Sequence, residues 1–176
     1  MPPIRRIIAG VSGRPGCLPA LRYAADLAHA CDAALVPVHA WLRSGPELAV
    51  CQLPYDHLGE EENDAAWQRL WRSLEMAFGG SPPDAQPLAS RGSAGAVLVG
   101  TASRAGDVLV IGTGRRGAVS RLRHGAVSRY CLAHADCPVF AVPPPEFDRA
   151  VARGVLGWRR RQAPGPHASI PGAPRR

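Results

Sequence analysis

The chain has 176 residues, of which 46% are apolar, and its formal net charge is +7. This size and composition fit one globular domain with a tail. No apolar stretch reaches the roughly 18 residues that a membrane span needs, and the amino terminus lacks the apolar segment of a signal peptide. We therefore expect a cytoplasmic protein without a membrane partner.

The positive charge is concentrated near the carboxyl terminus. Residues 143–176 hold seven Arg and two acids, which gives +5 there and leaves +2 for residues 1–142. Residues 1–142 are thus too nearly neutral for a dedicated nucleic-acid binder, and we expect no nucleic-acid partner. The tail is interpreted as a solvated segment, with contact to nucleic acid or anionic lipid as the alternative.

The first forty residues predict a β-α-β unit. Apolar residues mark a strand over residues 4–11, and a turn that contains Gly and Pro follows. Residues 17–32 carry Leu and Ala at helical spacing, and residues 33–41 read as a second strand. Pro37 lacks a backbone donor, which predicts an edge or bulged position for that strand. The unit implies a right-handed parallel crossover.

The rest of the chain repeats this alternation. Residues 42–60 contain turn residues without a clear period and predict a long loop, of a kind that is usually functional or mobile. Strands are then predicted over residues 86–90, 108–111 and 138–142, and helices over residues 60–78, 93–104 and 126–135. Five strands separated by four helices predict one parallel sheet with helices on both faces.

The segment from Asp107 to Val142 is the most informative one. Its buried strand runs directly into a glycine-spaced basic loop, with Gly112, Gly114, Gly117 and Gly125 among Arg115, Arg116, Arg121 and Arg123. Glycines let backbone N–H groups approach a phosphate, and the amino end of the following helix favours negative charge. We interpret the loop as an anion-binding site at the carboxyl ends of the strands. The alternative is that these glycines only make turns.

No constellation of catalytic or metal-binding residues stands out. The sequence shows no Ser-His-Asp arrangement, paired carboxylates or metal-ligand spacing above chance. The cysteines have neither CxxC spacing nor an even count, and we interpret them as buried small apolar residues with reduced thiols. They are Cys17, Cys31, Cys51, Cys131 and Cys137.

The chain resembles the universal stress proteins over roughly residues 3–143. The resemblance rests on Ile7 to Gly13, on the second strand ending at Trp41, and on the approach to the last strand from His134 to Val139. Above all, Gly112 and Gly125 match the first and last glycines of a pattern that ATP-binding members share. With the β-α alternation, the resemblance implies the strand order 3-2-1-4-5 of a nucleotide-binding α-hydrolase-like fold.

The sequence departs from that pattern at three positions. Arg115 stands at the second glycine, Ala126 replaces the Ser or Thr after the last glycine, and Ser12 stands where an acid commonly ends the first strand. Ser120 and Ser128 are candidates for a substitute hydroxyl. Arginine could replace the lost contacts through charge-assisted bonds. Alternatively, Arg115 could obstruct the close backbone approach that a phosphate needs.

By the resemblance, the nucleotide site lies at the strand ends and the start of the last helix. It comprises Gly10, Val11, Ser12, Ala40, Ile111, Gly112, Gly114, Arg115, Gly125, Ala126 and Val127. The implied function is that of a cytosolic regulatory protein that binds ATP between Gly112 and Gly125, with at most slow hydrolysis and with the role of Mg²⁺ open. The alternative is a dimeric interaction or signalling protein of the same fold that binds a protein partner and no nucleotide.

Under both interpretations we expect a homodimer through the last strand, Pro138–Val142, which is apolar, uncharged and at the edge of the sheet. The domain is expected to span residues 1–143 and the Pro- and Arg-rich basic tail residues 144–176. Within the tail, residues 147–161 are predicted to form a short basic helix and residues 162–176 to be disordered.

Overall fold

A computed structural model of the chain describes residues 3–42, 57–80, 85–113 and 120–143. The strands are β1 (Arg6–Gly10), β2 (Ala34–Trp41), β3 (Leu88–Arg91), β4 (Asp107–Gly112) and β5 (Val139–Val142). The helices are α1 (Leu18–Cys31), α2 (His57–Phe78), α3 (Ala94–Thr101) and α4 (Ser120–His134), with a short 3-10 turn over Pro15–Cys17 before α1. All strand pairs are parallel and the order is β3-β2-β1-β4-β5, so the predicted fold class and strand order are confirmed.

The sheet separates two hydrophobic clusters. Ile7 and Ala9 of β1 point towards α1 and α2, where they pack with Leu21 and Leu70. Ile8, between them, points to the opposite face, which α3 and α4 cover. Because both faces of the central strands are buried, the apolar residues run without interruption there instead of alternating with polar ones.

The prediction that Pro37 marks an edge or bulged strand is wrong, since β2 lies inside the sheet between β1 and β3. The carbonyl of Leu35 accepts a hydrogen bond from the backbone N–H of Gln86 at 2.7 Å. Backbone groups alternate in direction along a strand, so Pro37 also faces β3, where its missing N–H costs one hydrogen bond. By the same alternation, Pro87 faces away from β2.

The last helix begins six residues before its predicted start. Gly125 therefore lies within α4, not in the loop before it. A glycine inside a helix costs about 1 kcal/mol relative to Ala, which a packed helix tolerates. The other predicted boundaries differ from the observed ones by up to three residues, and the predicted tail and the loop residues 43–56 lie outside the described ranges.

Close packing joins the two helices on the second face of the sheet. A Cβ atom on Gly95 of α3 would lie 2.6 Å from Cδ1 of Tyr130 of α4. The Tyr130 ring in turn stacks on His134, with ring centroids 4.1 Å apart. Glycine is therefore required at position 95 by the packing of α3 against α4. Within the described ranges, no helix is both long and apolar enough to cross a membrane.

The cysteines in the described ranges are free thiols, and two of them lie deep in the protein. Cys17 and Cys131 are buried, and Cys31 and Cys137 are half-buried. Burial raises the pKa of the Cys131 thiol, and the nearby Cys137 raises it further. Burial is also the main cause that raises the pKa of Cys137, with a smaller contribution from Asp107. The interpretation of buried small side chains is therefore confirmed for Cys17 and Cys131, whereas Cys31 and Cys137 are only partly buried. Cys51 lies outside the described ranges.

Candidate functional site

The strand order reverses direction between β1 and β4, and the edge of the sheet at the carboxyl ends of these two strands is called the crevice below. The loop after β1 leads to α1 on one face of the sheet, and the chain after β4 leads to α4 on the other. The register of β1 with β4 ends at Ala9 and Val110, and a Cβ atom on the next residue, Gly10, would lie 3.4 Å from Cγ2 of Ile111. In open parallel sheets such a reversal is where ligands bind.

Two hydrogen bonds fix the chain where it leaves β1. The backbone N–H of Val11 donates to the carbonyl of Val38 at 2.8 Å. The carbonyl of Val11 lies 2.8 Å from Nδ1 of His39, which is 6% exposed. Because a carbonyl only accepts, Nδ1 of His39 carries the proton. His39, which follows Val38 in β2, thus holds the first turn of the loop in place.

Gly13 brings this loop against the second helix. It adopts a left-handed backbone conformation with φ of +70°, which favours glycine. A Cβ atom here would lie 3.4 Å from Cβ of Arg69 in α2 and 3.6 Å from Cε1 of His39. Neither His39 nor Arg69 was among the predicted site residues. Only the position of His39, next to Ala40, pointed to it in the sequence, and nothing there indicated Arg69.

Gly112 ends β4 close to the backbone of the other loop. A Cβ atom on Gly112 would lie 3.7 Å from both the carbonyl oxygen of Gly16 and Cβ of Ala20. The end of β4 and the loop after β1 therefore approach each other with little side-chain material between them. Gly10 has a different role, because a Cβ atom there would lie 3.1 Å from Cδ1 of Leu98 in α3.

One of the two candidate substitute hydroxyls reaches the end of β4. The hydroxyl of Ser128, one helical turn after Gly125, donates to the carbonyl of Gly112 at 3.4 Å. Nearby, the backbone N–H of Thr113 donates to the carbonyl of Val142 at 2.9 Å. These contacts tie α4 and β5 to the same strand end. The side chain of Ser120 lies outside the described ones.

The structure brings most of the described site residues to this edge of the sheet. Gly10, Val11 and Ser12 meet Ile111 and Gly112 there, and Ala40 lies one strand further on, paired with Ser90. On α4, Gly125 is half-buried, Ala126 is exposed, and Val127 packs into the cluster under α3. Gly114 and Arg115 lie outside the described residues.

The described strand ends and loops at this edge, together with the start of α4, contain no carboxylate. Residues 10–16, 40–42, 111–113 and 125–129 include neither Asp nor Glu. Among the residues that the structure describes, no group of three or more His, Cys, Asp or Glu is arranged to hold a metal ion. The available chemistry consists of backbone N–H groups, hydroxyls and arginine, which suits the binding of an anion.

Comparison with known proteins gives one family. The model of the universal stress protein family matches residues 3–143. Among curated proteins, none matches the sequence significantly. The solved structure of universal stress protein UspA from Lactobacillus plantarum is similar, with 19% identity over 78% of this chain and 97% of that one and a TM-score of 0.61. A universal stress protein in complex with cAMP has 21% identity over 78% of this chain and 95% of its own, with a TM-score of 0.50. Such distant structural matches show the fold alone.

Proposed function

Because the chain belongs to the universal stress protein family, we propose that it binds an adenine nucleotide between the ends of β1 and β4 and acts as a cytosolic regulatory protein. The observation that carries this proposal is the reversal of the strand order between β1 and β4, where β4 ends at Gly112, which has no side chain to fill the space beside the loop after β1. Where backbone and not side chains lines a site, phosphate groups can come close enough to accept hydrogen bonds from backbone N–H groups. The complex of a similar protein with cAMP supports an adenine nucleotide as the ligand.

ATP is the nucleotide that the glycine pattern favours, with its base near Ala40 and its phosphates near Gly112 and α4. The chain would bind it with at most slow turnover, because the described strand ends and loops at this edge offer no carboxylate to activate water. Bound nucleotide would then act as a signal that changes the affinity of the protein for a partner.

The test begins with protein purified without added nucleotide, denatured by heat and analysed by chromatography for released adenine nucleotides. Calorimetric titration with ATP, AMP and cAMP then measures affinity. In the variant Gly112→Ala, the new methyl group would lie 3.7 Å from its nearest neighbours, an ordinary van der Waals distance, so the fold is kept. The methyl group would nevertheless reduce the space in which a phosphate could reach the backbone at the end of β4. We expect the variant to bind about tenfold more weakly or worse.

Gly100→Ala is the matched control, because Gly100 lies on α3 with no atom within 4 Å of the added Cβ. It should bind as the wild type does. If no nucleotide is released and none of the three nucleotides gives heat with the wild-type protein, the result supports the alternative function, which is that of a protein of the same fold that binds a protein partner.

We also propose that the chain forms a homodimer through the outer edge of β5, with which no described strand pairs. The carbonyls of Pro138 and Val142 accept hydrogen bonds from β4, so the backbone groups of Val139 and Ala141 face outwards. An antiparallel copy can pair Val139 of one chain with Ala141 of the other, which centres the two-fold axis on Phe140. Such pairing would satisfy the outward donors and acceptors of both residues.

Aromatic packing supports this geometry. The rings of Phe140 and of Tyr23 in α1 have centroids 6.1 Å apart, and their side chains are 39% and 41% exposed. In the proposed dimer, both Phe140 side chains and both Tyr23 side chains would meet on the α1 face and shield one another from water. Exposed aromatic residues next to an unpaired edge are typical of an interface.

A further inference from the structure

Arg69 of α2 lies against the loop that follows β1. The atoms nearest to a Cβ built on Gly13 are Cβ and Cδ of Arg69, at 3.4 and 3.6 Å, and Cε1 of His39, at 3.6 Å. The aliphatic stem of Arg69 therefore lies along the backbone of the loop, and its guanidinium group begins directly beyond Cδ. The residue as a whole is exposed. Arginine commonly packs its stem in this way while its charged head stays in water.

The packing of α2 fixes where Arg69 stands. Ala66, Leu70 and Leu74 of the same helix are 0% exposed, and Leu70 and Leu74 pack in the cluster that contains Ile7 of β1. The stem of Arg69 is thus held at the border of the buried face of α2. Within the ranges that the structure describes, no hydrogen bond or ion pair engages its guanidinium group. That charge is available to a ligand.

The strand order places the sugar of a bound nucleotide beside this loop. In the binding mode proposed above, the base lies near Ala40 at the end of β2 and the phosphates lie near Gly112 at the end of β4. Between these two strands lies β1. The ribose joins the base to the phosphates, so it would lie over the end of β1, where Ser12 and Gly13 follow.

The side chains at this point suit a phosphate better than a free hydroxyl. In parallel sheets that bind dinucleotides, a carboxylate beside the ribose accepts a hydrogen bond from its hydroxyl, whereas an arginine there binds a phosphate on the same sugar. Ser12 is exposed beyond β1 in place of the acid of the family pattern, and Arg69 contacts the next residue. Resting on the nucleotide binding proposed above, we propose that the site prefers adenine nucleotides with a further phosphate on a ribose hydroxyl, bound by Arg69.

Glu62 is the group that competes with Arg69 for the ribose. It precedes Arg69 by seven residues on the same side of α2, about 10.5 Å along the helix axis, and its Oε2 atom is buried. A carboxylate beside the ribose would accept hydrogen bonds from free hydroxyls and repel a phosphate. The contacts favour Arg69, which supplies the α2 atoms nearest to Gly13. The two groups predict opposite preferences, so binding measurements separate them.

The test compares AMP, adenosine 2′,5′-bisphosphate and adenosine 3′,5′-bisphosphate by titration calorimetry at equal ionic strength. The three ligands share base, ribose and 5′-phosphate and differ only in the added group. We expect at least one bisphosphate to bind roughly ten- to a hundredfold more tightly than AMP, because a hydrogen bond to a charged group is gained. In Arg69→Met this preference should be lost, since Met keeps an apolar stem against Gly13 without the charge.

Arg72→Met is the matched control, because it removes the same charge from an exposed position three residues further along α2. It should keep the preference for the bisphosphate. A preference that survives in Arg69→Met, or that Arg72→Met abolishes as well, overturns the proposal.

AMP that binds as tightly as both bisphosphates, or more tightly, also overturns the proposal and leaves nucleotide binding intact. A preference for AMP that disappears in Glu62→Gln would assign the ribose to Glu62 instead. Absence of heat from these three ligands and from ATP with the wild-type protein removes the proposed function itself.

Discussion

Arg6 and Asp107 form a two-pronged ion pair across the amino ends of β1 and β4. Nε of Arg6 donates to Oδ1 of Asp107 at 2.9 Å, and Nη2 donates to Oδ2 at 2.6 Å and to the carbonyl of Thr101 at 3.0 Å. The backbone N–H of Arg104 donates to Oδ2 as well, at 2.8 Å. The carboxylate is 3% exposed, so the pair fixes the register of the two central strands at the edge opposite the crevice.

Removing one member of this pair should destabilise the fold without affecting the site. In Arg6→Met, the buried carboxylate of Asp107 loses its charge partner, and we expect a loss of about 3–5 kcal/mol in the free energy of unfolding. The double variant Arg6→Met/Asp107→Leu should recover part of that loss, because it leaves no unpaired charge, while the N–H of Arg104 loses its acceptor. Urea unfolding measures both. A cost in Arg6→Met below 1 kcal/mol would show that the pair does not hold the strands together.

The contact between α3 and α4 predicts opposite effects of the same substitution at two positions of one helix. Gly95→Ala places a Cβ atom 2.6 Å from the ring of Tyr130, and the required shift should cost about 1–3 kcal/mol. Gly100→Ala meets no atom within 4 Å and should stabilise by up to about 1 kcal/mol. Thermal unfolding compares the two. Adding Tyr130→Ala should relieve part of the cost of Gly95→Ala; no relief would place the strain elsewhere.

The buried hydrogen bond of His39 predicts a link between stability and ligand affinity. His39→Phe leaves the carbonyl of Val11 without its partner, which should cost about 1–3 kcal/mol and weaken nucleotide binding by loosening the loop after β1. His39→Asn is the matched control, since its amide nitrogen can reach about the position of Nδ1. Calorimetry and urea unfolding of both variants provide the check. An unchanged nucleotide affinity in His39→Phe would separate this loop from the site.

The proposed dimer can be tested by removing a single outward donor. Ala141→Pro deletes an N–H that faces the outer edge of β5 and spares the pairing with β4, so the monomer should fold. The dimer should lose two hydrogen bonds, one from each copy, or about 1–3 kcal/mol, and dissociate about five- to 150-fold more readily. Analytical ultracentrifugation measures this. Ala89→Pro, on the outward side of β3, is the control; an equal effect there, or a monomeric wild type, rejects the interface.

Arg115 allows the two interpretations of the glycine loop to be separated. Arg115→Gly restores a glycine at the second position of the family pattern. If Arg115 binds phosphate, as we expect, the variant should bind ATP about ten- to a hundredfold more weakly, because a hydrogen bond to a charged group is worth about 1.5–3 kcal/mol. Titration calorimetry of wild type and variant is sufficient. Tighter binding in the variant would show that the arginine obstructs the site.

The sequence predicts the fold well because the apolar runs of β1 and β4 and the helical spacing of α1 are strong local signals. It misplaces Pro37 because the cost of a missing N–H depends on what stands opposite, and Gln86 becomes a neighbour only in the folded sheet. For the candidate site, the glycine pattern after β4 is the local signal that points to the carboxyl ends of the strands. The contact of Arg69 with Gly13 joins residues far apart in the chain, and no local pattern encodes it.

Within the described part of the chain, β3 and β5 are the edge strands of the sheet, and their outer sides differ in a way that limits assembly. On β3, the backbone groups of Pro87 and Arg91 face outwards. Pro87 has no N–H to donate to a further strand, and the charge of Arg91 disfavours the approach of one. On β5, the outward groups of Val139 and Ala141 are unblocked. If only one edge strand can pair, two copies associate through it about a two-fold axis, and neither copy then has a second edge available for pairing. Association would close at two copies instead of continuing into an open filament.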